Sequence, residues 1–254
     1  MYLSMVVFEE CLAEYHPRMT GHSDLIKIKF MGVQEAMEGQ EYLPDHMLLE
    51  HVEYFVSHPV PAAWGCLCIG EPPEDLFKNN ICLIFPENTD RTSLYHDVQK
   101  IFFLYNSWEM EIRKAMQRNA TLEEMCNLCI PIFEKPIFIH DRNNELLAIA
   151  NEMAGQFSWQ YDETFDKYYL PLEILNTFKS SDEYHKTLHT YGAHVFSAKA
   201  TGYRTLYVNL RIEWVYVGRV CLDEIGTPIR KRDYELLEFF ADNIALAMQQ
   251  GMLL

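Results

Sequence analysis

Apolar residues recur at Leu94, Val98, Ile101, Tyr105, Trp108, Ile112 and Ala115, alternately four and three positions apart. That is the a/d repeat, which keeps one stripe of a helix turned towards one partner. Asp97, Gln99, Lys100, Glu109, Glu111, Arg113 and Lys114 fall between them and suit a wet outer face, while Phe102 and Leu104 widen the apolar side. No Gly or Pro breaks the run before Arg118-Asn119, so the spacing predicts a connecting helix over 94–118. Its stripe can be covered by the rest of the same chain or by a second copy. The favoured expectation is a homodimer, with Leu94, Val98, Ile101, Tyr105, Trp108 and Ile112 at the seam.

Before this helix, residues 1–93 read as a small α/β domain. Helical spacing over 6–15 stops at His16-Pro17, and 24–33 alternates as a half-buried strand. A loop is expected over 39–44 and a helix over 45–57, with Leu48, Val52 and Phe55 inward. Unalternating apolar runs at 62–69 and 81–85 read as buried strands, with Glu71-Pro72-Pro73-Glu74-Asp75 an exposed turn between them. A mostly parallel sheet follows from that order.

A second domain is expected over 119–254. Thr121 and Glu124 have capping-box spacing ahead of a helix over 122–133. Strands at 136–140 and 145–150 flank the polar turn Asp141-Arg142-Asn143-Asn144. The aromatic and acidic stretch 157–170 has no clear period and reads as a loop or lid. Helices are expected over 172–178, after Pro171, and from Ser181 to 188. Strands at 193–198, 205–212 and 215–222 precede Thr227-Pro228, read as an N-cap and first-turn proline, and a closing helix over 232–250. The fold class is thus α/β (α+β): an N-terminal α/β domain, a long helix, and an antiparallel sheet whose two flanking helices share one face. The other sheet face, under the middle helices and the aromatic loop, is where a pocket forms. Ligand contacts are expected from His140, His194, Tyr203, Tyr207 and Asn209, with Tyr168 and Tyr169 closing over them.

Charge narrows the function. The chain has 254 residues and a formal net charge of −16, which repels a phosphate backbone, so direct nucleic-acid contact is not expected. Arg230-Lys231-Arg232 is too short to change that and reads as a solvated face. No apolar run is long enough to span a bilayer, and the first fourteen residues carry three Glu and no early Lys or Arg, unlike a signal peptide. The expectation is a cytoplasmic protein. Its seven cysteines include the pairs Cys66/Cys68 and Cys126/Cys129, but both pairs sit in apolar runs and read as buried thiols. His185 and His189 have metal-ligand spacing beside Lys186 and read as a surface pair, and Asp162, Glu163 and Asp166 as a solvated loop. No phosphate-binding, dinucleotide, nucleophile-elbow or zinc-protease motif occurs, so no cofactor, metal or catalytic residue is assigned.

The hairpin Pro136-Ile137-Phe138-Ile139-His140-Asp141 to Ala150 and the helix Asp233-Tyr234-Glu235-Leu236-Leu237-Glu238-Phe239-Phe240-Ala241 resemble those of GAF-type sensory domains. Leu83-Ile84-Phe85 followed by Tyr105-Asn106-Ser107-Trp108-Glu109 is similar to the sensory region of PucR-like bacterial transcription regulators. The resemblance implies a ligand-sensing region that precedes a DNA-binding helix-turn-helix, answers an unidentified small-molecule effector and acts as a dimer. This chain ends at Leu254 with no helix-turn-helix after its closing helix, and the family pattern fixes no ligand contacts. A ligand-free dimerisation scaffold and a small cysteine- or metal-dependent enzyme are the alternatives.

Overall fold

A computed structural model of the chain describes residues 1–21, 23–35 and 41–251. The chain divides into two compact units, Met1–Glu109 and Met110–Leu254. In the first unit the elements run β1 (Leu3–Ser4), α1 (Met5–Cys11), β2 (Arg18–Gly21), β3 (Lys29–Phe30), β4 (Gly32–Glu35), β5 (His46–His51), α2 (Val52–Ser57), β6 (Gly65–Ile69), α3 (Glu74–Asn79) and β7 (Ile81–Phe85), followed by α4 (Arg91–Gln117).

The apolar runs of β6 and β7 do not alternate because both strands are buried on both faces. They lie in parallel register, Cys66 beside Cys82 and Cys68 beside Ile84, in the sheet β2-β7-β6-β5-β4. Strands β4 to β7 are parallel, and β2 is antiparallel at one edge. On one face Leu48, Cys66, Cys68, Cys82 and Ile84 pack with Phe55 of α2 and Leu76 of α3. The thiols of this cluster are buried and free, and burial pushes Cys68 up to about 12, so they act as small apolar groups.

Three segments of this unit differ from the sequence expectation. Residues 45–57 are not one helix: 46–51 form β5, and only 52–57 are helical. Met47, Leu48 and Leu49 are all fully buried in β5, a run that helical spacing of Leu48, Val52 and Phe55 also satisfies. The segment 24–33 opens as a 3-10 turn, Ser23–Lys27, before β3 and β4. Glu74 and Asp75, read as turn, begin α3, with both carboxylates in its first turn where the helix dipole favours them. Of the loop expected over 39–44, Gly39 and Gln40 lie outside the described residues.

Helix α4 confirms the heptad and changes its partner. Leu94, Val98, Ile101, Tyr105, Trp108, Ile112 and Ala115 are all buried within the single chain. Phe102 packs at a tilt against Phe8 of α1 with ring centroids 4.9 Å apart, the Tyr105 hydroxyl lies 3.7 Å from Cys11 Sγ, and Tyr15 donates to Asp97 at 2.6 Å. The seam assigned to a second copy is therefore filled by the chain itself. Leu104, read as part of the apolar face, is exposed, as are Phe103 and Met110.

The second unit runs α5 (Leu122–Asn127), α6 (Ile130–Phe133), β8 (Ile137–Asp141), β9 (Leu146–Ala150), β10 (Gln160–Asp162), β11 (Lys167–Tyr169), α7 (Leu172–Lys179), α8 (Asp182–Thr187), β12 (Ala193–Phe196), β13 (Thr205–Ile212), β14 (Val215–Asp223) and α9 (Lys231–Gln249). Thr121 and Glu124 form the expected capping box, but the helix they open stops at Asn127 and restarts as α6 around Pro131. The stretch 157–170 contains the β10–β11 hairpin. Arg230, rather than Thr227, caps α9: its backbone N–H donates to Asp233 Oδ2 at 2.9 Å.

Strands β12-β13-β14-β8-β9 form one sheet with every neighbouring pair antiparallel. Ile137, Ile139, Leu206, Leu210, Val220 and Leu222 face one way and are buried. Helix α9 crosses β12 and β13 and α5 lies against β8 and β9, so both ends of the unit flank the sheet. Lys135, fully buried, bridges to Asp233 at 3.0 Å at the start of α9 and donates to Phe133 O at 3.1 Å. Farther along α9, Glu238 Oε1 accepts from Ala193 N at 2.7 Å, tying the helix to the edge strand β12.

Candidate functional site

Antiparallel register brings the other sheet face together row by row. Tyr207, Cys221 and Phe138 lie side by side across β13, β14 and β8, and Asn209, Arg219 and His140 form the next row. Gly218 is needed for this pairing, since a Cβ there would sit 2.3 Å from His140 O. Above the rows, Phe178 of α7 and Tyr184 of α8 stack face to face with centroids 4.7 Å apart, and Phe157 and Trp159 pack edge-on to Phe138. Between these layers lies a cavity of about 40 Å³, lined by rings including Phe138, Phe157, Phe178 and Phe196, with His140, Thr201, Thr205, Tyr207, Arg219 and Cys221. That space holds about three waters. A larger guest has to displace side chains.

Arg219 is the unusual member. Only 4% exposed, it pairs with no carboxylate among the described residues. Its guanidinium instead lies 4.8 Å from the Tyr207 ring centroid, 5.4 Å from Tyr184 and 5.7 Å from Tyr216, three cation–π contacts. Nη2 donates to Thr187 Oγ1 at 3.1 Å and Nε to the Tyr216 hydroxyl at 3.3 Å. The second terminal nitrogen, Nη1, has no hydrogen-bond partner among the described residues.

Burial dominates the electrostatics around this cation. Burial, and then the Arg219 charge, lower the His140 pKa to about 3, so the imidazole is neutral at neutral pH. Its Nδ1 lies 2.8 Å from Asp141 O, a carbonyl that can only accept, so the proton sits on Nδ1 and Nε2 keeps a lone pair. Burial pushes the Cys221 thiol well up, the reverse of what a nucleophile needs. Asp223, on the same sheet face, is pushed up to about 6 by burial, against hydrogen bonds from Thr205 and Gln156 at 2.7 and 3.0 Å.

Of the residues expected to contact a ligand, His140 and Tyr207 line this cavity. Tyr203 stands beside Asp223 instead. Asn209 is spent on structure: its amide donates to Thr187 O at 2.6 Å and Thr190 O at 3.1 Å. His194 is exposed, with Nε2 3.0 Å from Tyr191 O. Tyr168 packs on Tyr161 on the outer hairpin, and Tyr169 borders a separate cleft there. Arg219 was missed by sequence reasoning. Its signal was a lone arginine inside the apolar stretch 215–222, two positions before Cys221 on the same face. Among the described residues no three His, Cys, Asp or Glu side chains gather as a metal site, and no helix is long and apolar enough to cross a membrane.

No family profile matches the chain, and no curated protein matches its sequence. Similar solved structures include the cofactor-binding GAF domain of the nutrient sensor CodY from Clostridium difficile, at 12% identity, 57% of this chain, 97% of that chain and a TM-score of 0.40. The phycoerythrobilin-bound GAF domain from a cyanobacterial phytochrome aligns at 9% identity, over 57% of this chain and 94% of that one, with a TM-score of 0.42. A type II free methionine-R-sulfoxide reductase from Thermoplasma acidophilum aligns at 15% identity, over 55% and 95%, with a TM-score of 0.30.

Proposed function

We propose that the second unit is a GAF-like sensory domain that takes a small molecule into the Arg219 cavity, and that the chain is the ligand-sensing region of a bacterial transcription regulator. The observation that carries the reading is the cavity itself: a ring-lined space with a few placed polar groups, set between a sheet face and two short helices. Helix α9 packs on the opposite face of the same sheet and is tied to β12 through Glu238. A ligand that fits one packing of the rings better than another shifts the population of that packing, and α9 carries the change onward. The net charge of −16 supports leaving DNA contact to a part other than these residues. A homodimer would use the outer face of α4, where Phe103, Leu104 and Met110 are exposed. Thermal-shift screening of purines, amino acids and organic acids against the full chain tests the reading. Saturable stabilisation by one class is expected, and silence across the panel overturns it.

A further inference from the structure

A buried guanidinium is ordinarily matched by a carboxylate of the same protein, because an unpaired charge in a low dielectric is costly. Arg219 has ring faces and two hydroxyls instead. Ring faces hold a cation without neutralising it. Its free Nη1 therefore belongs to a fork whose natural complement is a carboxylate. The remaining walls are chiefly phenyl rings and Leu170, which complement an apolar body. We infer that the cavity binds a compact organic monoanion, a single carboxylate on a small apolar or aromatic body, with the carboxylate on Arg219; this rests on the cavity being a ligand site.

Three observations narrow the class. Arg219 is the only cation among the lining residues, so one negative charge is matched and a second would be buried without a partner. His140 adds no positive charge, but its Nε2 can accept from a hydroxyl or amine beside the carboxylate. Asp223, the acid on this sheet face, does not line the cavity and is held by Thr205 and Gln156 rather than by Arg219.

Calorimetry on the full chain with matched probes tests this, using phenylacetate against phenylacetamide and isobutyrate against isobutyramide. Each pair has one shape and differs in charge. At least one acid is expected to bind tenfold or more tightly than its amide, and to lose that advantage in Arg219→Met while Arg219→Lys keeps part of it. Equal binding of acid and amide overturns the inference and leaves the ligand cavity standing. An acid preference unchanged in Arg219→Met also overturns it, since the anion is then held elsewhere. Binding by none of the probes, with the wider screen also silent, removes both readings; silence here alone removes the inference only. Should Arg219→Met fail to fold, the acid–amide comparison on the unaltered chain decides.

Discussion

His140 and Asp223 lie on one sheet face and make opposite demands of pH. His140 takes up a second proton, and with it a charge, only below about 3 in the folded chain, against 6.5 when unfolded. Between those values the unfolded state binds the extra proton, so stability from this group falls as pH falls from 6.5, by about 1.4 kcal/mol per pH unit. Asp223 keeps its proton up to about 6 when folded, against 3.8 unfolded. Here the folded state binds the extra proton, so stability rises as pH falls from 6 towards 4, at a similar slope of about 1.4 kcal/mol per unit. From pH 6 to pH 4.5 the two contributions are each about 2 kcal/mol and opposite in sign. These two contributions should therefore nearly cancel over that window. His140→Gln leaves the Asp223 slope, making the variant gain about 2 kcal/mol on acidification; Asp223→Asn leaves the His140 slope and loses as much. Hydrogen exchange of β8 and β14 amides at pH 4.5, 5.3 and 6.0, corrected for intrinsic rates, reads these opening free energies directly. A steep profile in the unaltered chain that neither substitution bends would refute the balance.

Three further outcomes follow from the packing. Lys135→Met strands a fully buried carboxylate and should destabilise the second unit by about 3–5 kcal/mol, while Lys135→Met with Asp233→Leu recovers most of it, as read by urea unfolding. Gly218→Ala forces a Cβ against the His140 carbonyl, so a loss of about 1–3 kcal/mol and faster exchange in β8 and β14 are expected. Trp108→Ala should cost about 3–5 kcal/mol, since its ring is buried in the chain, whereas Leu104→Lys stays within about 0.5 kcal/mol. If Trp108→Ala instead halved the mass in sedimentation and left unfolding unchanged, the seam would lie between copies after all.

Sequence pattern reported which side of a segment is dry more faithfully than what dries it. The stripe from Leu94 to Ala115 is buried at every position, yet α1 and the rest of the chain supply the cover that the heptad spacing assigned to a second copy. Strand β13 was legible over its full length because its two faces differ in chemistry, and the Thr121–Glu124 box because a cap is a local interaction. Met47-Leu48-Leu49 was not, since a strand buried on both faces has no period to distinguish it from a helix. The site was half visible. His140 and Tyr207 stand at predictable strand parity, but Arg219 is defined by the acid it lacks among the described residues, an absence that strand spacing does not encode.

The stitching beneath α8 sets the direction from which the cavity can open. Asn209 holds the carbonyls of Thr187 and Thr190, Arg211 holds that of Leu188 at 2.7 Å, and Arg219 holds the Thr187 hydroxyl. Three side chains from two neighbouring strands thus clamp the exit of one short helix, and that wall travels with the sheet. Helix α7 is held by fewer side-chain bonds: Leu172 N donates to Gln160 Oε1 at 3.3 Å in its first turn, and the Lys179 carbonyl at its end lies 3.0 Å from His185 Nε2 of α8. If the cavity takes a guest, the expected way in is past α7 and the Phe178 ring, with the α8 side serving as the fixed jamb.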